Sequence, residues 1–273
     1  MRLITESRSR PTSLMPFVDS NHARIHYAFE GATDTPVLVL SNSLGADFSM
    51  WDPQIPEFVK FLRVLRYDTR GHGESSVTPG PYSIEQLAND VLALADYLKL
   101  DRFNFCGLSM GGMIGMWLAA NAPQRLNKLV LASTAANIGT PEMWNARIDA
   151  VRREGLKNVA AAAIERWFTP AFRAKCPSAV RNVHKVLESA NPEGYVACCA
   201  AVRDFDFRER LGKMRTPGLV ISGTHDPATT PADGRFLAEH IAGARYVELN
   251  GAHLSNIEDA ERFTQEVSGF LSP

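Results

Sequence analysis

Short apolar runs alternate with amphipathic stretches along most of this chain, an order that predicts strands separated by helices. Residues 36–40 (Pro36-Val37-Leu38-Val39-Leu40) are continuously apolar, as expected of a parallel strand covered on both faces. Comparable runs over 63–68, 102–106, 128–132, 218–222 and 245–249 read as further strands. Residues 15–19 and 23–29 read as an opening hairpin around Ser20, Asn21 and His22. Between the strands the apolar period becomes helical. Ser83 can cap a helix running to about Leu98, with Leu87, Val91, Leu92 and Leu94 as its apolar stripe. Residues 112–120 and 231–241 read as helices, and 258–271 as a single closing helix. This alternation predicts an α/β fold: a mainly parallel sheet with helices on both faces.

One stretch breaks the rhythm. From Ala135 to about Leu211 there is helical periodicity and no clear strand, and Thr140-Pro141-Glu142 is a helix start with a capping residue and a first-turn proline. The segment 135–211 is therefore expected to be a helical cap inserted into a core made of 1–134 and 212–273. Such an insertion folds over the carboxyl ends of the strands, where open parallel sheets bind ligands. Residues 1–14 are expected to form a flexible extension.

Composition narrows the function classes. The chain has 273 residues, 45% hydrophobic and 22% charged, with a formal net charge of −1. That is an ordinary globular protein, with no basic block suited to nucleic acid or a membrane surface. Cys106, Cys176, Cys198 and Cys199 show no metal-ligand or redox spacing, so no metal and no cofactor are expected. With no secretory leader and no run of transmembrane length, the expectation is a cytoplasmic protein. Homo-oligomerisation is left open by this pattern.

The chemistry concentrates at Gly107-Leu108-Ser109-Met110-Gly111, between a predicted strand and a predicted helix. A serine on so sharp a turn needs small neighbours, and the turn exposes its hydroxyl while aiming the Met110 amide at the place where an oxyanion forms. A serine hydroxyl becomes a nucleophile when an imidazole takes its proton, and the imidazole needs an acid to set its tautomer. After such an elbow the expected order is acid, then histidine. Asp226 follows the strand over 218–222 and His253 follows the strand over 245–249, so Ser109, Asp226 and His253 are the expected triad. His225 and His72 are the rival bases, with His72 expected to be structural in its turn, and Asp204 and Asp206 are the alternative acids. The second oxyanion amide should come from Ser41-Asn42-Ser43-Leu44-Gly45, with Leu44 preferred and the register open by one residue.

These features resemble the α/β-hydrolase superfamily from about Phe17 onward, and more narrowly the 3-oxoadipate enol-lactonases of bacterial aromatic (protocatechuate and catechol) catabolism. The narrower likeness is carried by Leu40-Ser41-Asn42-Ser43-Leu44-Gly45, by Met50-Trp51-Asp52-Pro53-Gln54, and by Arg66-Tyr67-Asp68-Thr69-Arg70-Gly71-His72-Gly73. In the insertion, the stretches over 138–147 and 194–204 are similar too. The resemblance implies a serine hydrolase that opens a carboxylated lactone through an acyl-enzyme. It also implies a pocket in which Trp144 and Arg147, one helical turn apart, and groups near Ser43 meet the substrate carboxylate. On residue type alone, Trp144 also fits plain packing and Arg147 a solvated surface charge. A general carboxylesterase or a cofactor-free haloperoxidase-like perhydrolase shares the elbow, and a ligand receptor on a hydrolase fold is the non-enzymatic alternative.

Overall fold

The computed structural model describes residues 16–20 and 22–272; the expected extension over 1–14, and Met15 and Asn21 of the expected hairpin, lie outside the described residues. The chain begins with β1 (Phe17–Ser20) and β2 (Ala23–Glu30), which pair antiparallel. Next come β3 (Val37–Ser41), a short helix α1 (Ile55–Phe58) and β4 (Arg63–Tyr67). Then follow α2 (Ile84–Tyr97), β5 (Phe103–Leu108), α3 (Met110–Asn121) and β6 (Leu126–Ala132). The eight-stranded sheet has the order β1-β2-β4-β3-β5-β6, completed by β7 (Gly218–Gly223) and β8 (Arg245–Leu249). From β4 to β8 every pairing is parallel. The expected mainly parallel sheet is present, with antiparallel strands only at the β1 edge.

The helices form where the sequence signals them. Ser83 Oγ accepts the Gln86 amide at 3.1 Å and starts α2. Helix α3 is buried on nearly every side between the sheet and α2, which explains why its sequence, from Met110 to Ala119, is apolar all round. The helix α9 (Pro231–His240), between β7 and β8, opens with a capping box in which Thr230 and Asp233 satisfy each other's backbone amides. A short helix α10 (Ser255–Glu258) precedes α11 (Ala260–Leu271), which is the closing helix expected over 258–271. The break between the two is at Asp259, which leaves helical geometry at φ −120° and accepts the Asn250 amide.

Between β6 and β7 the chain builds five helices: α4 (Pro141–Glu154), α5 (Lys157–Trp167), α6 (Pro170–Lys175), α7 (Pro177–Glu188) and α8 (Pro192–Arg203). The stem of this insertion is tied where it leaves and returns: the Phe207 amide donates to the Ala136 carbonyl at 2.8 Å, and Asn137 Nδ2 to the Phe205 carbonyl at 3.1 Å. Inside it α4 packs along α8, and α5 along α7. Among the described residues, no helix is long and apolar enough to cross a membrane.

Candidate active site

Ser109 stands between β5 and α3 with φ 58° and ψ −115°. A non-glycine residue in that region is strained by about 1–3 kcal/mol and persists only where its surroundings demand it. The demand is backbone contact. A Cβ on Gly107 would lie 2.1 Å from the Gly111 carbonyl oxygen, and one on Gly111 would lie 2.2 Å from that of Ser41. Two hydrogen bonds to the β6 end lock the turn: the Ser109 amide donates to the Ala132 carbonyl at 2.9 Å, and Thr134 Oγ1 to the Ser109 carbonyl at 2.7 Å.

The loops after β7 and β8 bring Asp226 and His253 together. His253 Nδ1 donates to Asp226 Oδ2 at 2.8 Å. The same oxygen takes the Thr229 hydroxyl at 2.7 Å, and Oδ1 takes the amides of Ala228 at 2.8 Å and Thr229 at 3.1 Å. Burial by itself would raise the Asp226 carboxyl. The His253 imidazole and the hydrogen bonds from His253 and Thr229 outweigh it and hold the carboxyl below its ordinary value. A carboxylate there keeps the imidazole proton on Nδ1, so Nε2 is the basic nitrogen. The Trp167 indole lies beside the imidazole, 6.4 Å between centroids and 27° between planes.

Ser109 and His253 border one cavity of about 460 Å³, together with Ser43, Leu44, Trp144 and Arg147. Ser109 Oγ has no hydrogen-bond partner among the described residues, so its bond to His253 is not closed in this structure. Such catalytic bonds often tighten only when substrate is bound.

The loop after β3 is held from several sides. Asn42 donates through Nδ2 to the Tyr67 carbonyl at 2.9 Å, accepts the Trp51 indole N–H at 2.9 Å, and takes the Gly111 amide on its carbonyl at 3.1 Å. The neighbouring amides are occupied: that of Ser43 faces Met50 Sδ at 3.4 Å, and that of Gly45 donates to His72 Nε2 at 2.9 Å. Between them the Leu44 amide has no partner among the described residues. The Met110 amide, first in α3, has no carbonyl one turn earlier to bond. Gly45 has φ +85°, and a Cβ there would meet Leu187 of α7 at 2.4 Å, so the insertion presses directly on this loop.

Trp144 is buried, and its indole N–H donates to the Ile138 carbonyl at 2.6 Å. The Arg147 guanidinium lies 4.7 Å from the Trp144 ring centroid, beside the Tyr195 hydroxyl, and only half-exposed. The rival groups are elsewhere. His225 is exposed and borders a different cavity, and Asp204 and Asp206 are exposed and paired with Arg203 and Arg208.

The sequence model of the α/β-hydrolase fold matches residues 36–153. 3-Oxoadipate enol-lactonase 2 of Acinetobacter baylyi is 44% identical over 247 residues, covering 90% of this chain and 92% of the relative. The chain belongs to the 3-oxoadipate enol-lactonase family. Enol-lactonase 1 of the same organism is 39% identical over 88% of this chain and 90% of its own length. The crystal structure of the enol-lactonase from Burkholderia xenovorans LB400 superposes with a TM-score of 0.93 at 48% identity, covering 94% of this chain and all of that one.

The two enol-lactonase-like stretches of the insertion, 138–147 and 194–204, meet at this cavity through Trp144, Arg147 and Tyr195. Tyr195 belongs to the second of these stretches and is buried. Burial pushes its hydroxyl well above the ordinary value, reinforced by Cys199 and opposed by Arg147. Arg166 and Trp167 of α5 also line the cavity, and sequence reading missed both. Their one signal was a second arginine–tryptophan pair in the insertion, and helical spacing alone does not say that α5 turns that face inward.

Proposed function

We propose that this enzyme hydrolyses 3-oxoadipate enol-lactone to 3-oxoadipate in the bacterial catabolism of protocatechuate and catechol. The observation that carries the reading is one cavity bordered by Ser109, by the Asp226-linked His253, by the free Leu44 amide and by two arginines, Arg147 and Arg166, that lack a carboxylate partner among the described residues. In the proposed mechanism His253 Nε2 takes the Ser109 proton as Oγ attacks the lactone carbonyl. The amides of Leu44 and Met110 hold the oxyanion. The ring C–O bond breaks, the enolate oxygen leaves with the proton from His253, and an acyl-enzyme remains. His253 then activates water, which releases Ser109. The freed enol tautomerises to the 3-oxo acid. Arg147 holds the carboxylate side chain of the lactone, with Trp144 and Ser43 shaping the pocket around it. The four unpaired cysteines support a reducing, cytoplasmic setting.

The test is to add purified protein to 3-oxoadipate enol-lactone and follow the loss of its ultraviolet absorbance. Ser109→Ala should lower the rate by on the order of 10⁴-fold or more while leaving the fold intact. Residual activity within about tenfold of wild type would overturn the serine mechanism. A clear preference for a neutral short-chain ester over the lactone would favour the esterase reading.

A further inference from the structure

A second cavity, of about 590 Å³, adjoins the reaction cavity and shares Arg166 and Pro227 with it. Arg166, reached by α5 from the insertion side, and Pro227, on the loop that carries Asp226, are therefore where the two cavities meet. Lys175, at the end of α6, and His225 line the outer space and are exposed. Two acids also line it, and both are engaged. Glu165 pairs with Arg173, and Glu258 accepts the Thr169 hydroxyl and the amides of Thr169 and Ala252. Neither Arg166 nor Lys175 has a carboxylate within ion-pair distance among the described residues. Arg166 is held below its ordinary pKa by burial and then by the charge of Arg147, so an anion arriving between them relieves a real cost.

We infer that the outer cavity is a vestibule for small monocarboxylate anions, with Lys175 drawing the carboxylate in and Arg166 passing it, where the cavities meet, to Arg147. The inference rests on the carboxylated substrate proposed above. A monoanion near Lys175 feels an exposed charge, screened over about 10 Å at 0.1 M salt, so this residue acts on the rate of capture. Arg166, half-buried where the cavities meet, acts on both capture and binding. Phe168, Pro170 and Phe172 line the same space and offer a carboxylate no competing charge.

The test compares two chromogenic esters that differ in charge, mono-para-nitrophenyl succinate and para-nitrophenyl butyrate, using the full chain. Lys175→Glu should lower kcat/KM for the succinate ester about three- to tenfold at low salt, with kcat unchanged and the butyrate ester unaffected. The loss should fade as salt approaches about 0.5 M, and Lys175→Arg should retain wild-type rates. Arg166→Gln should lower kcat/KM for the succinate ester more than for the butyrate ester. Unchanged capture of the succinate ester by Lys175→Glu, or equal losses for both esters, would overturn the vestibule. Failure to hydrolyse the enol-lactone would overturn the proposed function instead, because the ester comparison does not depend on that substrate.

Discussion

His72 Nε2 accepts the amide proton of Gly45 at 2.9 Å, and this bond ties the turn after β4 to the loop after β3. His72 is 2% exposed. Burial lowers its pKa, and the Arg70 carbonyl and the Asp68 carboxylate only partly oppose this, so the ring is neutral and Nε2 keeps its lone pair. The bond consumes the Gly45 amide and sets the direction of the Leu44 amide before it. His72 is thus a positioning residue for the proposed oxyanion hole.

His72→Ala should lower kcat about 10- to 100-fold with little change in KM, less than the complete loss of an oxyanion donor. His72→Gln places an amide oxygen near Gly45 and should recover part of the loss. Steady-state kinetics on the lactone checks this; an unchanged kcat in His72→Ala would mean that Asn42 and Leu187 hold the loop without the imidazole.

The same histidine gives the fold a pH dependence. Its folded-state pKa lies below the ordinary 6.5, so as pH falls the unfolded chain binds this proton first. Stability from His72 is complete above pH 6.5 and is lost as pH falls below it. Asp226 has the same sign in a lower window, below its ordinary 3.8. Cys198, packed beside the His72 ring, has its thiol pushed up by burial and adds no charge change in this range. The urea midpoint should therefore drop as pH falls below about 6.5, and His72→Gln should flatten that slope.

Asp226→Asn should cut kcat by on the order of 10⁴-fold with a small effect on KM. An amide group can donate toward His253 Nδ1, which favours the tautomer with its proton on Nε2 and removes the base. Retained activity in Asp226→Asn would move the acid elsewhere, and kinetics beside a circular dichroism spectrum separate this from misfolding.

Arg147→Ala should lower kcat/KM for the carboxylated lactone about 10- to 150-fold and spare a neutral lactone of similar size. Arg147→Lys should recover only part, since a point charge lacks the forked geometry that matches a carboxylate. Equal losses on both lactones would show that Arg147 serves the Trp144 and Tyr195 packing and contacts no carboxylate.

Strands β3 to β8, the turn at Ser109 and the loop positions of Asp226 and His253 were legible in the sequence because each depends on neighbours a few residues away. A buried parallel strand must be continuously apolar, and a strand that turns at once into a helix must carry glycine where backbones touch. The short α10 was not legible, because a single turn of four residues is too short to show a helical period. What the sequence by itself determined was the parallel sheet, the elbow and the order of the candidate triad. Tertiary structure alone decided that His72 reaches Gly45 across 27 residues, that Leu44 is the amide left free, and that Arg166 joins Arg147 at the cavity. Those facts depend on which face each insertion helix turns toward the sheet, and that is set by packing between segments far apart in the chain.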